Sequence, residues 1–176
     1  VEIHRVWRDE NDVNKFLKLQ GQKQGIIKGS VTLPGKEDSI SVISISHELI
    51  SPRDAVTGLP TGKRQHKPLV IVKLIDRSTP LLYQALVTNE KMTTFNLAFY
   101  ATPPGGQEIK QFTIDLVNAD ISSINQVRQN SNATPDLMKF AEYEEVSFTY
   151  GTIKWTWSNG INVLSTSQDQ WTAPVV

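Results

Sequence analysis

The chain has 176 residues, of which 39% are hydrophobic and 20% charged, enough for one domain with a substantial core. Eighteen basic residues balance eighteen acidic ones, so no global field draws the chain to nucleic acid or an anionic membrane, and a brake on self-association is missing. The absence of cysteine excludes disulfides, thiolate metal sites and thiol nucleophiles, and no run reaches the roughly 18 apolar residues that cross a bilayer as a helix.

Residues 1–14 are more charged than the stretch after them and read as an amino-terminal arm or a vector-derived extension, ahead of a single domain over residues 15–176. Val1 to Arg8 lacks the apolar stretch of a secretory signal, so cytoplasmic synthesis is expected, and any export takes a route that reads no such signal. Residues 25–32 and 39–50 read as strands separated by the turn Pro34-Gly35-Lys36-Glu37-Asp38. The inward phase changes between Val42 and Ile43, which predicts a bulge.

Residues 51–68 form a long polar connection between two apolar segments. Pro52, Pro60 and Pro68 with Gly58 and Gly62 forbid a helix there, while Arg53, Lys63, Arg64, His66 and Lys67 cannot be buried unpaired. Connections beyond about a dozen residues are functional or disordered, so this one makes contacts or supplies slack. The segment after it, residues 69–75, is apolar except for Lys73, as in a strand covered on both faces or one that meets a neighbouring subunit.

One helix is predicted from Thr79 as cap and Pro80 at the first helical position, with Leu82, Ala85 and Leu86 on one face and Asn89 at the end. Two alternating runs, Phe95/Leu97/Phe99 and Phe112/Ile114/Leu116, flank Thr102-Pro103-Pro104-Gly105-Gly106 and predict a hairpin. In residues 118–128 the threefold spacing of Ile121, Ile124 and Val127 fits either a short helix or an irregular strand, and the segment is read as a strand. Val146, Phe148 and Tyr150 lie on even positions and Ile153, Trp155 and Trp157 on odd ones, so a bulge or bend is expected at Gly151, with both tryptophans in the core. Asn159-Gly160 predicts a two-residue type I′ hairpin into a last strand through Ile161, Val163 and Leu164, then a tail with Trp171. Trp7 and Trp171, near the termini, read as docking anchors. One helix beside about ten strands indicates a mainly β protein, a barrel or sandwich with the helix outside.

The sequence offers little for catalysis. His4, His47 and His66 show no metal-ligand spacing. His47, before Glu48 on a strand, reads as a satisfied or surface histidine, and His66 as facing water or a partner. Gly58-Leu59-Pro60-Thr61-Gly62-Lys63-Arg64 has too few residues between its glycines for a phosphate loop and no Ser or Thr after the lysine. No Gly-x-Ser-x-Gly elbow occurs. Glu144 and Glu145 point to opposite faces of a strand and read as solvated or interface charge. Lys63, Arg64 and Lys67 lack the interleaved aromatics of a nucleic-acid site. Neither catalytic residues, metal ligands nor cofactors are expected; the enzymatic alternative is a small hydrolase or binding enzyme using His47/Glu48 or His66.

Taken together, several of these segments resemble the haemolysin-coregulated proteins (Hcp) of the bacterial type VI secretion system. The resemblance runs through Phe16-Leu17-Lys18-Leu19, Ile27-Lys28-Gly29-Ser30, Ile45-Ser46-His47-Glu48, the string Thr61-Gly62-Lys63-Arg64-Gln65-His66-Lys67-Pro68, Pro80 to Leu86, Tyr143-Glu144-Glu145-Val146 and Ile153-Lys154-Trp155-Thr156-Trp157. It implies a β-barrel of two packed antiparallel sheets with one external α-helix, closing into a hexameric ring. It also implies stacking of rings into a hollow tube, built in the cytoplasm inside a contractile sheath, tipped by a spike, expelled by contraction and able to carry effectors in its lumen. On this likeness the long loop reaches an adjacent ring, with Arg53, Asp54, Lys63, Arg64 and Gln65 as stacking residues. Neither a nucleic-acid partner nor membrane insertion is implied. Residues 1–14 have no counterpart in the family pattern, and a chain stopping at Val176 is expected to carry no toxin domain.

Overall fold

The computed structural model describes residues 14–127 and 142–171. His4, Trp7, all of the expected arm except Asn14, and Arg128 lie outside them. The described residues form thirteen strands and one helix. Strands β1 (Asn14–Gly21), β2 (Gly25–Ile26), β3 (Ile40–Val42), β8 (Met92–Ala101), β9 (Ile109–Val117), β12 (Thr152–Ser158) and β13 (Val163–Gln170) make a seven-stranded sheet in the order β13-β12-β9-β8-β1-β2, with β3 also on β1. Strands β4 (Ser44–Ser46), β7 (Leu69–Leu74), β10 (Asp120–Val127) and β11 (Tyr143–Thr149) make a second sheet in the order β10-β11-β7-β4. β5 (Leu49–Ile50) and β6 (Gln65–His66) pair only with each other. Every ladder is antiparallel.

The two large sheets pack face to face, and period-two alternation supplies the core between them. Leu17, Leu97 and Ile114 face in from one sheet, and Leu69, Ile71 and Phe148 from the other. Phe148 meets Phe95 edge to face across the gap, centroids 4.9 Å apart. On β1 the opposite face is covered locally: Phe16 is buried under Tyr100 and the stem of Lys36, whose ammonium lies over both rings and pairs with Glu108. The hairpin of β8 and β9 is as expected.

Both phase changes in the sequence are corners between the sheets: the bend, not the bulge, at Gly151, and no bulge at Val42/Ile43. Val42 belongs to β3 in one sheet and Ser44 to β4 in the other, so Ile43 is the step between sheets, not a bulged residue within one. Tyr150 and Gly151 likewise carry the chain from β11 to β12, and Asn118, at φ 53°, carries it from β9 to β10. Changing sheets reverses which side chains face the core. Residues 27–32 depart from the expected strand 25–32, of which only Gly25–Ile26 is a strand. Beyond Ile26 the backbone folds on itself through Gly29 N–H to Asp38 O at 2.8 Å and Asp38 N–H to Val31 O at 3.0 Å.

Gly29 permits that close pass, because a Cβ there would overlap the Ser39 carbonyl and sit 2.6 Å from Ile40 Cα. Gly29→Ala is therefore expected to cost about 1–3 kcal/mol through forced backbone displacement, read as a lower urea midpoint; an unchanged midpoint would show that the β2 to β3 connection gives way freely.

The helix, α1 (Thr79–Val87), packs against β10 with Leu82 and Ala85 buried. Its cap is Ser78 rather than Thr79. The Thr79 hydroxyl points inward, accepting from Asp76 N–H and donating to Glu144 Oε1 at 2.8 Å. Asn89 ends the helix at φ 49°, with Asn89 N–H on Leu86 O and Glu90 N–H on Ala85 O, a Schellman closure. Glu144, expected at the surface, is fully buried against the equally buried Lys73 at 2.5 Å. Burial on β11 alternates, and the Lys73 ammonium, bound also to Asp76 and Thr79, neutralises the site.

The β12–β13 connection is not a two-residue turn. Asn159-Gly160-Ile161-Asn162 forms a four-residue loop, with the Asn159 side chain accepting from the Ile161 and Asn162 amides. Only Gly160 takes positive φ there, as Asn159 spends its side chain on the loop. β13 then runs on to Gln170. Of the two tryptophans expected in the core, Trp155 packs against it, whereas Trp157 is 43% exposed and meets Phe112 with ring centroids 6.3 Å apart.

Candidate functional site

The 51–68 connection is neither slack nor simply irregular. It springs from the β5–β6 ribbon, where Leu49 pairs with His66 and Ile50 with Gln65, and continues through Thr61 N–H to Pro52 O at 3.0 Å and an isolated bridge between Arg53 and Pro60. The tip is organised by Asp54. Its Oδ1 accepts from the Val56 amide at 3.1 Å, the Thr57 amide at 2.7 Å and the Thr57 hydroxyl at 2.9 Å, an Asx turn that needs the positive φ of Gly58 to close. These bonds, the Thr57 amide foremost, hold the Asp54 carboxyl below its usual range. The outcome is an ordered finger presenting Val56, 93% exposed, and Leu59, 64% exposed.

The five expected contact residues fare differently. Arg53 and Lys63 are exposed along the finger, and Arg53 reaches the Gly58 carbonyl at 3.4 Å. Asp54 is spent on the turn. Gln65 is a ribbon residue. Arg64 does not project outward: its Nε and Nη2 grip Asp169 of β13, both at 2.6 Å. That pairing lowers the Asp169 carboxyl and raises Arg64. Val56 and Leu59 went unnoticed in the sequence, although two apolar residues within a polar, proline-bounded stretch are the signal that could have found them.

At the root of the finger lies a polar cluster that spacing along the chain gave no means to assemble. Tyr150, at the β11–β12 corner, places its hydroxyl 2.6 Å from His47 Nε2 and 3.0 Å from His66 Nδ1, and His66 Nε2 lies 3.1 Å from Asp169 Oδ2. His66, expected to face water or a partner, is buried, with Trp171 stacked on its ring at 5.7 Å and Trp171 edge-on to Tyr150. Burial, reinforced by the Asp169 charge, pushes the Tyr150 hydroxyl up to about 12. Burial and then the neighbouring His66 hold His47 below its usual value. Glu48 is exposed, and its backbone carbonyl accepts the Lys67 amide. The cluster contains no serine, threonine or cysteine. Among the described residues no group of three or more His, Cys, Asp or Glu is placed to hold a metal ion, and no helix is long and apolar enough to cross a membrane.

Comparison with known proteins decides what carries this finger. The family model described as "Type VI secretion system effector, Hcp" matches residues 16–157. The chain belongs to the Hcp family. It is 36% identical over 169 residues to the "Major exported protein" of Pseudomonas aeruginosa, covering 91% of this chain and 96% of that one. Among solved structures it is similar to the Hcp1 protein from E. coli EAEC 042, at 31% identity and a TM-score of 0.76 over 90% of this chain and 99% of that one. The secreted protein Hcp3 from Pseudomonas aeruginosa superposes with a TM-score of 0.71 at 28% identity, over 92% of this chain and 99% of that one. The two packed antiparallel sheets with one helix are the Hcp fold. Hcp proteins are structural rather than enzymatic, which overturns the hydrolase reading of His47/Glu48 or His66; here both imidazoles are fastened to Tyr150.

Proposed function

We propose that this Hcp chain is the structural subunit of a type VI secretion inner tube. Residues 15–176 act as one domain, behind an arm at 1–14. Six copies close a ring, and rings stack into a hollow tube that assembles in the cytoplasm within the contractile sheath and under the spike. Contraction exports the tube, which carries effectors in its lumen. Likeness to an exported and a secreted relative supports this reading. The observation that carries it is the ordered finger: its turn is closed by hydrogen bonds within the chain, yet Val56 and Leu59 stand in solvent beside Arg53. Rigid projection lowers the entropic cost of docking on a second copy.

The double change Arg53→Glu with Lys63→Glu tests it. Each reversal at an exposed pair is worth on the order of 1 kcal/mol, and six fingers per ring act together, so tubes are expected to disappear from negative-stain fields while light scattering still reports hexamers. Dissociation to monomers would move the finger to the contact within a ring, and unchanged tubes would remove both charges from any assembly role. Arg64→Glu strikes the finger's root instead, through Asp169, and belongs to a separate comparison.

A further inference from the structure

The β5–β6 ribbon forms no ladder with either large sheet. Apart from its covalent continuation into β4 and β7, it is fastened by side chains: His47 just before it, Arg64 and His66 on its return, and Tyr150, Asp169 and Trp171 on the sheet side. The hydrogens in this chain of contacts can be counted. Two bonds meet at the Tyr150 oxygen, one from each imidazole. With its pKa near 12, Tyr150 keeps its single hydrogen and supplies one of the two. One facing nitrogen must therefore bring a hydrogen and the other must be bare.

Two arrangements satisfy every bond. In one, His47 Nε2–H donates to Tyr150, Tyr150 O–H donates to His66 Nδ1, and His66 Nε2–H donates to Asp169. Here His47 is neutral or charged, since its other nitrogen is not used. In the other, a charged His66 donates to both Tyr150 and Asp169, and Tyr150 turns its hydrogen toward a bare His47 Nε2. A proton on both rings satisfies neither. Both facing nitrogens then carry hydrogen, the Tyr150 hydrogen has no acceptor, and two like charges sit either side of one oxygen. Arg64 adds a third cation, and among the described residues Asp169 is the anion paired with the cluster. The charged residues adjacent in sequence, Glu48 and Lys67, are exposed, and the rings packed on the cluster, Trp155 and Trp171, carry no charge.

We propose that His47, Tyr150 and His66 form a proton-operated catch on the finger, closed while the two imidazoles share at most one added proton and opened by the second. The catch resides in the single chain and holds whether or not the finger stacks rings. If it does stack them, acidification unfastens the projection that joins one ring to the next. The lowered value of His47 gives the same sign: closing excludes a proton that the open form takes up, so the closed state is favoured at neutral pH and lost as pH falls.

Amide hydrogen exchange of residues 51–67 in the purified protein, tracked from about pH 8 to about pH 5 and normalised to an unstructured peptide at each pH, reads the catch directly. In the unaltered protein, opening is expected to grow by about tenfold per pH unit once the second proton binds, as one proton taken up on opening requires. His47→Gln places an amide N–H where Nε2 stands and removes a titrating group; its finger should stay protected across the range. Tyr150→Phe deletes both bonds to the oxygen, and its finger should be open at every pH while the β8 and β9 amides keep their protection. The proposal is overturned if the unaltered finger shows no acid-dependent opening, or if His47→Gln opens as steeply as the unaltered chain. Imidazole carbon–proton resonances of the unaltered protein supply the proton count: two rings charging together with no change in finger protection would also overturn it.

Discussion

Lys73→Met is expected to cost this Hcp protein about 3–5 kcal/mol of folding stability, seen as a large fall in its urea midpoint. Lys73 and Glu144 are both fully buried. The ammonium contacts Glu144 Oε1 at 2.5 Å, Asp76 Oδ1 at 3.0 Å, the Leu74 carbonyl at 2.8 Å and the Thr79 hydroxyl at 3.2 Å. Methionine fills comparable space, so the loss is one of charge compensation rather than volume. Glu144 would keep the Thr79 hydroxyl but lose its cation in a dry interior, with its Oε2 already without a hydrogen-bond partner among the described residues. The double change Lys73→Met with Glu144→Leu removes both charges and is expected to recover most of the loss, since an apolar pair of similar size often matches or exceeds a buried ion pair. A single-variant loss below about 1 kcal/mol, the range of an exposed pair, would mean that water reaches the site.

The same cluster ties the start of α1 to the second sheet. Asp76 is burdened by burial, yet the Ser78 hydroxyl and the Lys73 ammonium hold its carboxyl below the usual value. Ser78 donates to Asp76 Oδ1 from both its amide and its hydroxyl. Lys73 thus joins β7, β11 and the turn before the helix at one point, which is why one substitution is expected to act on all three.

Phe148→Ala is expected to cost a similar about 3–5 kcal/mol by a different route, lost burial plus a cavity that the sheets cannot close. Phe148 is fully buried on β11 and meets Phe95 of β8 with rings at 69°, so it is a contact between the sheets rather than within one. Phe148→Leu should lose less, about 1 kcal/mol, because most of the volume remains. Urea melts of the two variants check this, and equal losses for Ala and Leu would show that the aromatic edge-to-face contact outweighs the space the ring fills.

Much of the architecture was legible because alternation is a local property. The β8–β9 hairpin, β7 and the helix are set by residue spacing and by Pro80 and Asn89 at the helix ends, whereas the threefold spacing along β10 fitted a helix as well as a strand. The breaks in alternation at Val42/Ile43 and at Gly151 were visible too, but a strand read alone cannot tell a bulge from a corner. Either event shifts the phase by one, and only the partner strand says which sheet the chain has entered. Glu144 was misread for a related reason. A carboxylate beside a tyrosine and a second glutamate reads as surface, and its compensating cation, Lys73, is far away in sequence though bonded in space.

The finger shows the same division. Prolines, glycines and five basic side chains made it a projecting segment, and its motifs carried the likeness to Hcp. That Arg64 turns back to Asp169, that Asp54 is consumed in its own turn, and that Val56 and Leu59 occupy the tip depended on contacts between distant residues. The His47–Tyr150–His66 cluster lies further still from anything spacing reveals, since its members come from three parts of the chain and converge only where β11 meets β12.

By itself, then, the sequence determined the family, the sheet-rich class, the place of the helix and the segment that projects, because these rest on period, turn chemistry and motif, all written along the chain. Tertiary structure alone decided which charges are paired, which histidines are buried and which side chains the projection offers, because each depends on who the neighbours are across the gap between strands. Pairing a cation with a carboxylate, or an imidazole with a phenol, is a matter of a few ångströms in space, and distance along the chain does not encode it.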